Sequence, residues 1–140
     1  MNEGAMLRVM GGNTVIKHPI RSGLDVVDMI SAGLPAKAVR NIQMHIGASD
    51  TEMAKLIGVS PKTFRGRKIF KGDEGDHAYR IVKAITRAEE VIGSHADAIR
   101  WLRSKQPALG NRIPLDLVST SAGAEAVSDL LGRIEYGVYS

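Results

Sequence analysis

At 140 residues the chain holds one or two small domains, and its 44% hydrophobic and 24% charged residues are ordinary for a globular protein in water. It has no cysteine, which excludes a disulfide framework and a thiolate zinc site; with no leader pattern and no apolar run near membrane-span length, it reads as cytoplasmic with no membrane partner. The net charge of +4 is uneven: residues 1–106 carry 17 basic and 11 acidic groups and residues 107–140 carry 2 and 4, which predicts two surfaces with different partners.

Residues 1–21 read as a flexible N-terminal arm. Leu7-Arg8-Val9-Met10 and Thr14-Val15-Ile16 flank Gly11-Gly12-Asn13, which also suits a short hairpin, though two strands alone are marginal in water. Helical periodicity then takes over. Ser22 suits the cap of a helix through Val26, Val27 and Ile30 that stops near Gly33. Pro35 suits the start of the next, with Val39, Ile42 and Ile46 on one face and Gly47 closing it.

Ser49-Asp50-Thr51-Glu52 has capping-box spacing and predicts a short helix to Ile57. Gly58 stops it, Val59 plugs the turn, and Ser60-Pro61 starts a second helix. Two short helices around a glycine turn are the pattern of a helix-turn-helix, with Ala54 small enough for the crossing and Phe64 facing inward. Lys62, Arg65, Arg67, Lys68 and Lys71 place five basic groups in ten residues with no acid among them. Such groups neutralise phosphates, and arginine can read guanine with two parallel hydrogen bonds; the same run also suits a solvated charged face. Lys62 and Thr63 stand near the helix start, the end that normally enters a major groove. Gly66 shortens the second helix, so part of the basic run is expected on a loop, contacting backbone rather than bases.

Asp73 to Ile92 is the longest helical pattern, with Ile81, Val82, Ile85, Ala88 and Ile92 on its apolar side. Gly93 ends it, and Ser94 caps a helix expected from His95 to Lys105 that buries Ala98, Ile99, Trp101 and Leu102. Pro107, Gly110 and Asn111 break the chain, and Pro114 opens a short helical turn. In the final helix Val127, Leu130, Leu131 and Ile134 recur at i, i+3, i+4 and i+7. The chain then reads Glu135-Tyr136-Gly137-Val138-Tyr139-Ser140. Tyrosine offers much contact area for few rotatable bonds, so this end suits docking on a partner as well as packing on its own domain.

Two stretches carry a family resemblance. W-L…P-A-L-G-x-R-x-P-L-D-L…G-x-x-x-V…L-L-G-R-I-E-Y-G-V-Y-S, from Trp101 to Ser140, resembles the C-terminal toxin-binding domain of the Xre/MbcA/ParS antitoxins, the antidotes of RES-domain toxins. Ala54, Gly58 and Phe64 in A-x-x-x-G-x-x-x-x-x-F resemble the Xre-type helix-turn-helix. The resemblance implies an all-α fold: a helical DNA-binding and dimerisation domain over residues 22–93 and a small helical toxin-binding domain over residues 94–140. It implies an antitoxin of a type II toxin–antitoxin system that blocks the NAD pocket of a NAD-consuming RES toxin with its C-terminal end. It also implies repression of its own operon through operator DNA and assembly as a homodimer within a larger complex. The DNA contacts would be Ser60, Lys62, Thr63, Arg65, Arg67, Lys68 and Lys71. The toxin contacts would be Arg133, Glu135, Tyr136, Gly137, Val138, Tyr139 and Ser140; by their own chemistry Arg133 and Glu135 suit a rim, and the Ser140 carboxylate suits an arginine meant for NAD phosphate. The alternative is a free-standing helix-turn-helix repressor whose C-terminal domain only dimerises.

Nothing in the sequence points to catalysis. His18, His45, His77 and His95 lie in separate segments, no metal-ligand spacing occurs, and Gly11-Gly12 lacks the lysine of a phosphate loop. Neither a cofactor nor an enzymatic role is expected.

Overall fold

The structure, a computed structural model, describes residues 2–137. Among them the order is α1 (Glu3–Met10), α2 (Gly23–Ala32), β1 (Leu34–Pro35), α3 (Ala36–Ile46), α4 (Asp50–Ile57), α5 (Pro61–Gly66), β2 (Ile69–Phe70) and α6 (Asp73–Ile92). Then follow α7 (His95–Leu102), a 3-10 turn (Pro107–Leu109), α8 (Pro114–Leu117) and α9 (Ser121–Glu135). The fold is all-α apart from the antiparallel ribbon β1–β2, in which Leu34 faces Phe70 and Pro35 faces Ile69. The chain packs as two units, Met1–Val82 and Lys83–Ser140, and the division falls within α6. No helix among the described residues is long and apolar enough to cross a membrane.

In the first unit several helix ends carry caps. Ser49 Oγ accepts the Glu52 N–H at 3.1 Å and Ser60 Oγ the Thr63 N–H at 3.1 Å. The Asp25 carboxylate turns back to accept the N–H groups of Arg21 and Ser22 at 2.7 and 3.2 Å, covering donors that the start of α2 leaves bare. Gly47 and Gly58 end α3 and α4 in the left-handed region, at φ +66° and +93°. The core is rich in thioethers. Met6, Met10, Met29 and Met53 are fully buried with Leu34, Ile42, Ile46, Ile57 and Phe70.

The N-terminal stretch differs from the expected arm or hairpin. Residues 3–10 form α1, which packs on α3. Asn2 caps it by accepting the Ala5 N–H, Gly11 ends it at φ +113°, and Met6, Val9 and Met10 (i, i+3, i+4) face inward. The Asn41 amide donates to the Met10 carbonyl at 2.9 Å. Gly11-Gly12 is thus a helix stop, not a hairpin turn.

The second unit is built from the later part of α6, α7, α8 and α9, around Ile85, Leu102, Leu115, Val118, Val127 and Leu131. α7 ends at Leu102, three residues short of the Lys105 expected, with Trp101 only half-buried. The first turn of α9 lies on α8: a Cβ at Gly123 would stand 1.9 Å from the Leu117 carbonyl oxygen, so only glycine permits this approach.

If α1 is structural, Met10→Ala leaves a cavity in the first unit and costs about 2–5 kcal/mol, read as a lower denaturation midpoint. An unchanged midpoint would return residues 1–21 to the status of an arm.

Candidate functional site

The helix-turn-helix is α4, the Gly58 turn and α5, and its geometry is fixed from three sides. Arg40 of α3 donates to Asp50 Oδ1 at 2.6 Å and to Gln43 Oε1 at 2.8 Å, and its guanidinium lies 4.5 Å above the Phe64 ring. Gln43 in turn donates to Asp50 Oδ1 at 2.8 Å and to the Ala48 carbonyl at 3.1 Å. The Gln43 amide first, and Arg40 second, hold the Asp50 carboxyl below the usual aspartate range. Phe64 meets Phe70 of the ribbon at 5.8 Å between ring centroids. From α6, His77 donates Nδ1–H to the Ile57 carbonyl at 2.8 Å, closing the end of α4.

This frame sorts the basic run. Lys62 and Arg65 are exposed on α5, and Lys68 and Lys71 are exposed on either side of β2. Arg67 is half-buried and pairs with Glu74 at 2.7 Å, so its charge is engaged within the protein. Ser60 and Thr63 bond to each other at 3.0 Å between hydroxyls, besides the cap that Ser60 provides. The ribbon sets the loop lysines: the Ala36 N–H donates to the Lys68 carbonyl at 2.8 Å. A Cβ at Gly33 would meet Lys71 Cγ at 2.8 Å, so that stem runs along the glycine. Lys37, next to Ala36, is a further exposed cation that the sequence reading passed over.

In the second unit the end of α9 carries the other candidate surface. Ser128, Asp129, Gly132, Arg133 and Tyr136 line an open groove of about 590 Å³ along one side of the helix. Tyr136 is 80% exposed, and Gly137 follows at φ +71°, turning the chain out of the helix. Glu135 forms a two-pronged ion pair with Arg87 of α6, at 3.0 Å to Nη1 and 2.8 Å to Nη2. Arg87 also donates to Glu90 at 3.4 Å. Hydrogen bonding to Arg87 is the main reason that the Glu135 carboxyl sits below its ordinary range. The structure therefore brings together Arg133, Tyr136 and Gly137 and turns Glu135 to Arg87. Val138, Tyr139 and Ser140 lie outside the described residues. Sequence reasoning missed Ser128, Asp129 and Gly132; the clue was a mid-helix glycine with no capping role.

Two family models match the chain. Residues 25–83 match the Antitoxin Xre-like helix-turn-helix domain, and residues 87–137 match the Antitoxin Xre/MbcA/ParS C-terminal toxin-binding domain. "Antitoxin Xre" of Yersinia enterocolitica is 28% identical over 127 residues, covering 87% of this chain and 86% of that protein. "Antitoxin Xre" of Photorhabdus laumondii is 27% identical over 130 residues, covering 89% and 88%. The fold is similar to a chain in the crystal structure of the M. tuberculosis MbcT–MbcA toxin–antitoxin complex, with a TM-score of 0.52 and 20% identity over 75% of this chain and 96% of that one.

The Asp50 junction makes the first unit acid-sensitive. A carboxyl whose folded pKa is depressed stabilises fully above its unfolded value, about 3.9 for aspartate, and the gain is lost as pH falls through the lower folded value. Asp50→Asn should therefore melt lower than wild type near neutrality, and the gap should shrink on acidification below about pH 4. A gap independent of pH would mean that the charge on Asp50 is not what joins α3 to α4.

Proposed function

The chain belongs to the Xre/MbcA/ParS antitoxin family and is the antitoxin of a toxin–antitoxin system; from that premise we propose that its partner is a RES-domain toxin whose NAD pocket it blocks with its C-terminal end. The observation that carries this reading is the end of α9. Within the span matched by the toxin-binding model, Tyr136 stands 80% exposed beside an open groove, and glycine leads the chain outward. Sites for nicotinamide or adenine are concave and largely apolar with a few polar groups. Tyr136, Val138 and Tyr139 are of the chemistry to fill one, Gly137 passes the rim closely, and the Ser140 carboxylate suits an arginine that would otherwise hold NAD phosphate. Arg133 is half-buried in the groove wall and contributes register more than affinity. The chain itself carries out no chemistry in this scheme.

The same protein represses its own operon through the first unit. The exposed cations Lys62, Arg65, Lys68 and Lys71 face phosphate, with Ser60 and Thr63 at the start of α5 and Arg67 bracing the loop through Glu74. Because α5 spans only Pro61–Gly66 and two of the lysines lie on the loop beyond it, backbone contacts outnumber base contacts. A homodimer presents two such units to a repeated or palindromic operator.

The test of the toxin reading is a pull-down of the N-terminally tagged full chain beside a chain ending at Glu135. A RES-domain protein captured stoichiometrically by the full chain and lost with the shortened one is the expected outcome. If the full chain emerges alone or only with DNA, the protein acts as a free-standing repressor. For the DNA surface, Lys68→Ala with Lys71→Ala should weaken operator binding evenly across sequences and reduce the salt slope by about 1 per lysine, in titrations at two or more salt concentrations. An unchanged slope removes these lysines from the interface.

A further inference from the structure

The last fully buried side chain of α9 is Leu131. Beyond it Gly132, Arg133 and Ile134 are only half-buried, and the helix ends at Tyr136 without a left-handed cap, at φ −94°. The Tyr136 and Gly137 N–H groups still reach the Gly132 and Ile134 carbonyls at 3.1 and 3.2 Å, but little apolar surface holds this end, and thinly packed helix ends fray. This end is tied to α6 by the fork between Arg87 and Glu135, four residues past Leu131. Two parallel hydrogen bonds from a planar guanidinium fix an orientation as well as a distance, which a lysine cannot do. The bond joins the first residue of the matched toxin-binding domain to one of its last, two positions before Gly137.

We propose that Arg87 is a positioning residue for toxin neutralisation: by gripping Glu135 it sets how Tyr136 and Gly137 leave α9. This rests on the reading of Tyr136 to Ser140 as toxin contact. Affinity gained by holding a contact segment ready comes from ordering that is no longer needed on binding. The groups that face Glu135 from α6 are Arg87 and, through Arg87, Glu90.

The first test needs no toxin. In the full chain labelled with ¹⁵N, heteronuclear relaxation at the amides of Tyr136 and Gly137 is compared with that at Val127 to Leu131. Arg87→Gln, Arg87→Lys and Glu135→Gln should each increase motion at Tyr136 and Gly137 and leave Val127 to Leu131 unchanged. The exchanged pair Arg87→Glu with Glu135→Arg should restore order. In wild type the order should fall as acid protonates Glu135, and in Glu135→Gln it should not depend on pH. Equal motion in wild type and Arg87→Gln overturns the proposal. Should Arg87→Gln fail to fold, Glu135→Gln and the exchanged pair make the same comparison.

The second test uses the RES-domain protein captured by the full chain. Arg87→Gln should bind it roughly three- to tenfold more weakly, the scale of ordering one or two side chains. If the chain ending at Glu135 binds as well as the full chain, the tail reading fails while the relaxation result stands. If that shortening abolishes binding but Arg87→Gln binds like wild type, the positioning role is refuted.

Discussion

The helix-turn-helix depends on what one guanidinium does at once. Arg40 covers the face of Phe64, the buried residue of the second short helix, and grips Asp50 at the start of the first. It thereby joins α3, α4 and α5 through a single side chain, with Gln43 donating to the same Asp50 oxygen. Arg40 Nη1 alone serves both Asp50 and Gln43 while the planar guanidinium lies over the ring, a combination that suits arginine's flat, delocalised charge. The exposed face of α5 can be polar and basic because its inward side is settled by this junction, by Phe70 and by the thioethers beneath.

The two units use different physics. The first is held by caps, a methionine-rich core and a polar junction, and presents cations on a short helix and a two-residue ribbon. The second brings backbone against backbone, where Gly123 meets the Leu117 carbonyl, and ties the end of its last helix to α6 with an ion pair. The firm part of each unit is its interior; the basic surface around α5 and the end of α9 are thinly packed. Binding surfaces that must meet another molecule are drawn from this less stable margin.

What the sequence made legible is local. Ser49 and Ser60, with Gly47 and Gly58, marked helix ends that the structure reproduces within a residue, and the pattern from Asp73 to Ile92 matches α6 at both ends. Val127, Leu130 and Leu131 are buried as their spacing implied, while Ile134, near the helix end, is only half-buried. What was not legible depends on distant partners. The ribbon pairs Leu34-Pro35 with Ile69-Phe70, two residues each, too short for any alternation to show. Arg67 reads as one more cation until Glu74 is seen beside it, and Arg87 and Glu135 stand 48 residues apart. The first helix was missed because eight residues before a Gly-Gly pair gain little from propensity; packing on α3 decides their state.

The thioether core has a chemical consequence. Methionine oxidation turns a flexible apolar side chain into a polar, chiral sulfoxide, and such a group has no hydrogen-bond partner where Met6, Met10, Met29 and Met53 sit, each at most 1% exposed. Peroxide can reach those sulfurs only when the unit opens, and the product cannot repack as before. Met44, on the surface of the same unit at 74% exposure, is open to the same reagent at all times. The ratio of interior to surface sulfoxide after exposure to peroxide therefore reports how often the first unit opens.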